Sequence, residues 1–301
     1  MHVTLTGATG LIGSRLVAAL LVRGDAVTVL SRNPERARAA LGDVEAHAWN
    51  PVAGPAPADA LSGRDAVVHL AGETLAQRWT DESRRAILDS RVLGTRNLVA
   101  GLRNADPRPG ALVCASGVGY YGPRGDETVT EDAAPGADFA AQLCVAWERE
   151  AAAARELGVR VVSMRTAVVL DSDGGAMAKM LPFFRLGIGG PVAGGRQYLP
   201  WIHADDIVDL YLAAIDDGDW EGPFNASAPD PPTNRDFSHA LGRALHRPAV
   251  LPVPGFALQL LYGDMAQIVT TGQRAVPARA LERGHGFRHT DLDAALREAV
   301  A

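Results

Sequence analysis

Cysteine is nearly absent: Cys114 and Cys144 are the only two in 301 residues. One distant pair supports neither a disulfide framework nor a cysteine-built metal site, so both read as core or near-core thiols in a reducing, cytoplasmic setting. Long apolar runs are missing too. "LVAALL" meets "VRGD" at once, and no stretch reaches the length of a bilayer span, so no membrane partner is expected. The opening "MHVTLTG" reads as a strand and leaves no room for a signal peptide. Basic charge is in deficit, with Lys+Arg 29 against Asp+Glu 35 and a formal net charge of -6. No basic tail follows a nucleic-acid backbone, although a local phosphate pocket is compatible with this balance. The acids and histidines show no metal-ligand spacing, so no metal is expected.

Apolar sequence is plentiful, at 47% of residues, enough for one large domain or a main domain with a smaller lobe. From residue 1 to about 170, β-rich and helical patterns alternate. "HVTLT", "DAVTVLSR", "VEAHAW", "DAVVHLAG", "GALVCASG" and "VRVVSMRTAVVL" read as strands. Between them lie "LIGSRLVAALLVRG", stopping at Gly24, and "NPERARAALG" with its early proline. The long "TDESRRAILDSRVLGTRNLVAGLRNAD" has a threonine or aspartate cap, and "FAAQLCVAWEREAAAARELG" stops at Gly158. Such alternation predicts a mostly parallel sheet with helices on both faces. Beyond 170 the pattern loosens. "WIHADDIVDLYLAAIDD" reads as a helix that Asp205 caps, "GPFNASAP" as a strand and "TNRDFSHALGRALH" as another capped helix. "PAVLPVP" reads as extended chain, and the tail as two helical pieces around a turn.

The first loop, "TLTGATGLIG", raises the functional question. A strand, three glycines and a helix in that order are the setting of a dinucleotide fingerprint. Gly7 permits the tight turn, Gly10 lets the backbone approach a pyrophosphate, and Gly13 lets the helix pack on the sheet. Thr9, Leu11 and Ile12 complete the loop, and the helix N-terminus offers free N–H groups to phosphate. The following strand ends "VLSRN" rather than in an acid. Ser31 and Arg32 are therefore assigned to a 2′-phosphate, which selects NADP, with NADPH preferred over NADH. The expected architecture is an α/β Rossmann-type doubly wound parallel sheet with a smaller C-terminal substrate lobe. Residues 1–170 form the NADP-binding domain and 171–301 the substrate-side lobe, with an interleaved boundary.

Ligands in such sheets bind at the carboxyl ends of strands. "VVHLAGE" places Leu70, Ala71, Gly72 and Glu73 there, the small pair letting a cofactor pass and Glu73 facing ribose or a neighbouring arginine. Arg91 points toward Glu73 or phosphate on one reading and lies on an ordinary helix surface on the other. "VCASGVGYYG" brings Ser116, Tyr120 and Tyr121 to the same rim, with Tyr120 assigned to the substrate pocket.

Together these residues resemble the extended short-chain dehydrogenase/reductase superfamily. More narrowly, the chain resembles its atypical NAD(P)-dependent epimerase-like proteins, often mislabelled as cell-division inhibitors. "TGATGLIG", "SRNPERA", "VVHLAGE", "RWTDESRRAILDSRVLGT", "SGVGYYG", "QLCVAWERE", "WIHADDIV" and the tail "TGQRAVPARALERGHGF" with "LDAAL" carry the resemblance across the chain. It implies chemistry at a carbon bearing oxygen, through a serine, a tyrosine and a lysine one helical turn after the tyrosine. Ser116 matches the serine region. Ala140 falls near the tyrosine position and Cys144 near the lysine position, and residues 138 to 156 contain neither tyrosine nor lysine. A hydride delivered to a carbonyl still requires a proton source. Tyr121, directly before Gly122, ranks first for that role, with Cys144 as a second donor.

The resemblance also places "GGPVAGGRQYLPWIH" on the substrate side, where Arg196, Tyr198, Trp201 and His203 line a pocket; the competing reading is a lobe linker with Trp201 packed inside. Two functions follow. One is an NADP-dependent oxidoreductase or epimerase-like enzyme acting on a small carbonyl, alcohol or sugar-like substrate. The other is a catalytically weak or inactive NADP-binding sensor or interaction protein. A homodimer through the helices "LDSRVLGTRNLVAGL" and "LCVAWEREAAAA" is compatible with the sequence, but each helix also needs its apolar face against its own sheet.

Overall fold

The computed structural model describes all 301 residues. In chain order it contains β1 (His2–Thr6), α1 (Leu11–Val22), β2 (Ala26–Ser31), α2 (Pro34–Leu41), β3 (Glu45–Ala48), β4 (Ala66–His69), α3 (Asp81–Asn104), β5 (Ala111–Gly117), β6 (Thr128–Val129) and α4 (Phe139–Ala152). There follow β7 (Arg160–Thr166), β8 (Val168–Leu170), α5 (Gly175–Arg185), β9 (Trp201–His203), α6 (Ala204–Asp216), β10 (Gly222–Ala226) and α7 (Asn234–Ala244). The chain closes with α8 (Gly255–Tyr262), α9 (Ala266–Thr270), β11 (Arg274–Ala275), α10 (Ala278–Glu282) and α11 (Leu292–Val300).

Seven strands form one parallel sheet in the order β10-β7-β5-β4-β1-β2-β3. From β1 the chain winds outward through β2 and β3, then returns to β4 on the other side. The order reverses between β1 and β4, and a crevice opens at their carboxyl ends. Central strands are buried on both faces, which is why they read as Val, Leu and Ala runs. Val3, Leu5, Val29, Val68, Val113 and Val162 share one core layer with α1 and α6. Leu30, Val67, Leu112 and Cys114 share the other with α3 and α4 through Leu98, Leu102 and Trp147. Both cysteines are free and buried.

Local signals account for most helix ends. Asn33, Thr80, Asp138, Thr233 and Asp291 each accept a first-turn N–H from their own helix. Gly24 and Gly158 stop helices at φ +84° and +79°. At α6 the expectation fails: His203, not Asp205, is the cap, accepting the Asp205 N–H through Nδ1 at 3.2 Å.

The boundary at 170 is crossed twice. Helix α6 packs on α1, and β10 adds to the main sheet beside β7. The remaining C-terminal elements build their own core, in which Leu170, Met177, Leu181, Trp201, Phe237, Leu241 and Leu296 meet. Two helical pieces were expected in the tail and four are present, with β11 pairing in parallel with β6. "PAVLPVP", expected as extended chain, makes one isolated bridge, Val253 to Val192. Helices α3 and α4 lie side by side, linked by Arg96 to Glu150, and leave Leu88 and Val145 exposed. No helix is long and apolar enough to cross a membrane.

Candidate active site

The glycine turn is built as its spacing demands. Gly7 adopts φ +68°, and a Cβ there would stand 2.7 Å from Leu70 C and Ala71 N. A Cβ on Gly13 would fall 2.4 Å from Gly7 O, so only glycine lets α1 start this close to β1. Gly10 is the N-cap, in extended conformation, and leaves the helix without a side-chain cap or a first-turn acid. The free N–H groups of Leu11, Ile12 and Gly13 and the positive end of the dipole therefore face the crevice. This bare terminus and its open approach fit a pyrophosphate. Leu11 and Ile12 contribute backbone alone: the Leu11 side chain packs on Gly174 and Gly175, and Ile12 joins the core.

A groove of about 560 Å³ runs from this turn. Gly7, Thr9 and Gly10 form its floor, Leu70, Ala71, Gly72 and Glu73 one side, and Ser31 and Arg32 its far end. Arg32 is exposed. Ser31 Oγ is tied locally, accepting the Asn33 N–H at 3.1 Å. Two further walls were not foreseen from the sequence: Asn50, Pro51 and Val52 after β3, and Ala86, Asp89 and Ser90 on α3. The end of β3 follows from strand order, since β3 neighbours β2; the helix wall has no sequence signal.

At the end of β4 the arrangement differs from expectation. Gly72 lacks a Cβ chiefly because the Arg91 guanidinium lies against it, with Cζ 3.1 Å from where a Cβ would be. Arg91 is buried, and its Nη1 donates to the Glu73 carbonyl at 2.8 Å. The Glu73 side chain is exposed along the groove, and its charge acts on Arg91. Beneath it, His69 is fully buried; Thr6 Oγ1 bonds both its Nδ1, at 2.7 Å, and the Ala71 N–H, at 3.2 Å. Burial pushes the imidazole down to about 4.

At the ends of β5 and β7 a polar network appears that no sequence spacing announced. Ser116 Oγ donates to Glu148 Oε1 at 2.7 Å. Arg165 grips the same carboxylate with a fork, Nε to Oε1 and Nη2 to Oε2, both 2.9 Å. Its guanidinium also lies 3.4 Å from the Tyr120 ring centroid. The fork holds the Arg165 proton more firmly than usual despite burial.

Tyr121 is not available as the proton donor. It is completely buried, donates to Asn225 Oδ1 at 2.6 Å and accepts from Arg165 Nη1 at 3.0 Å. Burial pushes its hydroxyl up to about 12. Cys144 is buried against Gly117, Sγ 3.8 Å from where a Cβ would be, and burial raises its thiol to about 11. It stays a thiol at neutral pH. Ala140, one turn earlier, faces Gly119. The residue missed was Glu148, one turn beyond Cys144 on α4.

The four substrate-side residues do not converge. Trp201 is fully buried in the C-terminal core, so the packing reading holds for it. Tyr198 pairs with Thr233 and carries Arg274 over its ring at 5.3 Å, while Arg196 is exposed. His203 is a buried helix cap, with its ring 3.7 Å from that of His289. His203, Asp205 and His289 bring ligand-type atoms within 4.8 Å of one another. Nδ1 of His203 accepts the Asp205 N–H, and the two rings are tilted by 31°. The cluster caps α6 through His203 and joins that helix to the tail through His289.

Sheet order, reversal point and glycine turn define a dinucleotide-binding α/β protein of the extended short-chain dehydrogenase/reductase type. A match to the NAD dependent epimerase/dehydratase family spans residues 3–226, and a second, to a domain of unknown function (DUF1731), spans 253–299. The chain belongs to the NAD-dependent epimerase/dehydratase family and carries this additional C-terminal segment. It is 38% identical over 307 residues to the chloroplastic SDR39U1 homologue, an epimerase family protein, of Arabidopsis thaliana, covering 99% of this chain and 86% of that protein. The crystal structure of the human epimerase family protein SDR39U1 (isoform 2) with NADPH superposes with a TM-score of 0.88 at 35% identity, covering 99% of both chains. A nucleoside-diphosphate sugar epimerase structure from Corynebacterium glutamicum gives a TM-score of 0.78 at 35% identity, over 99% of this chain and 58% of that one. The protein is thus an NAD(P)-dependent enzyme of oxidoreductase or epimerase-like type, and nothing in its site favours a sensor without chemistry.

Proposed function

We propose that NADPH, in preference to NADH, occupies the groove and that a small carbonyl or alcohol substrate lies beside Ser116. The observation that carries this reading is the exposed Arg32 next to Ser31, in the same groove as the uncapped start of α1. The NADPH named with the human structure supports it.

Bound NADPH supplies a hydride; the proton is the protein's task. Neither tyrosine nor lysine stands on α4 where the resemblance expects them, and Ser116 with Glu148 takes over. The Ser116 proton is committed to Glu148, which leaves the Oγ lone pairs free. In the oxidative direction Oγ accepts the substrate's hydroxyl proton as its own passes to Glu148. In the reductive direction Glu148 returns a proton through Ser116 to the new alkoxide. Arg165 fixes the carboxylate, which keeps partial access to solvent, the source and sink of the proton. An epimerase-like cycle uses the same path once in each direction. The two free thiols suit a cytoplasmic location.

Arg32→Asp tests the cofactor assignment. NADPH binding should weaken by roughly 10- to 100-fold, as expected for lost charge-assisted hydrogen bonds, while NADH binding changes by less than about threefold. Equal losses, measured by fluorescence titration, would defeat it.

A further inference from the structure

Large apolar side chains are exposed unevenly. Of fifteen that stand open to solvent, nine lie in two stretches, residues 183–188 and 250–268. Phe256, Leu260, Leu186 and Val250 are the most open of these, at 77%, 75%, 74% and 70%. Helix α8, "GFALQLLY", buries none of its residues. The two stretches form one face. Pro248 lies against Gly187, the Gly190 backbone is pressed against Leu251, and Val192 pairs in parallel with Val253. Single exposed apolar residues are ordinary, but a face of this extent marks an interaction site.

Cations rim the same face. Arg78 Nη1 donates to the Leu260 and Leu261 carbonyls, at 2.6 and 3.2 Å, at the end of α8. Lys179, the protein's single lysine, stands one turn before Phe183 on α5 and donates to the Ala76 carbonyl. Arg185 directly precedes Leu186, and Arg247 directly precedes Pro248. Arg235 Nη2 donates to the Gly194 carbonyl at 2.9 Å, next to Ala193, which meets the start of α8 at Gly255. All five are exposed, and the hydrogen bonds their side chains make go to main-chain carbonyls, none to a carboxylate. The nearby pairs Arg84–Asp264 and Arg243–Asp293 neutralise themselves. Residues 174–204 include no acid, and 243–274 only Asp264, in a chain whose net charge is -6.

Charge and shape together select the occupant. A second copy docked here about a two-fold axis would set these five cations against their own images. An anionic bilayer answers both features. Its phosphates neutralise the cations, and its acyl boundary takes up Phe256 and the leucines without a matching pocket. The lack of a helix long enough to cross a membrane bears on spanning, not on a face that lies against one. The expectation of no membrane partner rested on span length alone.

We propose that α8 and the end of α5 dock the protein on the surface of an anionic membrane. Phe256, Leu260, Leu261 and Leu186 enter the boundary between headgroups and acyl chains, and the surrounding cations meet lipid phosphates.

The test is sedimentation of purified full-length protein with vesicles of phosphatidylcholine alone and of an equal mixture with phosphatidylglycerol. Wild type should bind the mixed vesicles at least ~10-fold more tightly than phosphatidylcholine, and high salt should remove that preference. Phe256→Ser with Leu260→Ser should weaken binding to mixed vesicles by ~10-fold or more. Arg185→Glu with Arg247→Glu should erase the preference for the anionic lipid. Both double variants replace exposed side chains, so melting temperature and NADPH affinity should match wild type. No binding to mixed vesicles, equal binding to both kinds, or undiminished binding by the serine variant would overturn the proposal. So would a wild-type dimer that the serine variant turns into a monomer, which would give the face to a second copy.

Discussion

The cofactor groove and the polar network at the ends of β5 and β7 are built by different means. Around β1 and α1 the site is backbone: Gly7, Gly10 and Gly13 leave space, and α1 presents N–H groups that no side chain caps. Around β5, β7 and α4 it is side chains, with Ser116, Glu148, Arg165, Tyr121 and Asn225 hydrogen-bonded in one chain. The first kind tolerates no added atom but needs no distant partner. The second is spread over more than a hundred residues of sequence and depends on the whole sheet being in register.

The largest expected effect breaks the backbone part. Gly13→Ala places a Cβ 2.4 Å from Gly7 O, so the turn must move. NADPH affinity should fall at least ~100-fold, the equivalent of about 3 kcal/mol, as titration would show. Arg165→Met strikes the network. It strips the fork from Glu148, and loss of one partner of a largely buried pair costs about 3–5 kcal/mol. Urea unfolding should register that loss while NADPH affinity stays within about twofold. If both variants lost cofactor and stability alike, the two would not be separable.

His69 sits under Ala71. Its imidazole is neutral in the fold down to about 4, whereas the unfolded chain takes up the proton near the ordinary value of 6.5. Between these values the unfolded state binds more protons, so stability falls as pH drops from 6.5 to 4, by about 3 kcal/mol at the lower limit. His69→Gln should flatten that part of the stability profile relative to wild type; identical slopes would contradict it. The smallest effect belongs to Tyr121→Phe. It removes two buried hydrogen bonds, so about 1–2 kcal/mol of stability should go. NADPH affinity should not change, since the ring is sealed from the groove.

The same contrast explains what was legible in the sequence. Sheet, helices and glycine turn are local patterns, and Ser31 and Arg32 stand at a strand end whose place follows from alternation. Glu148 was hidden because it lies on α4 in an alanine-rich stretch that reads as an ordinary helix; only the fold brings it to Ser116. Tyr121 was misjudged for the converse reason. A tyrosine beside glycines looks like a pocket rim, but Asn225, on the last sheet strand, captures its hydroxyl. For Trp201 the sequence left pocket and packing open, and the core completed by the tail decides for packing; His203 is placed at the start of α6 as its cap. The C-terminal helices were undercounted because they are short, and α8 exposes most of its apolar face, which leaves a weak helical pattern.

The central claim is hydride chemistry from NADPH with the proton routed through Ser116. Incubating the protein with a metabolite extract and NADPH deuterated at nicotinamide C4 tests it directly, because the label itself marks whichever compound is reduced. Wild type should transfer deuterium to at least one carbonyl-derived alcohol, detected by mass spectrometry, and Ser116→Ala should lose that transfer while still binding NADPH. Tight NADPH binding by wild type with no deuterium in any product, or full transfer by Ser116→Ala, would contradict the account.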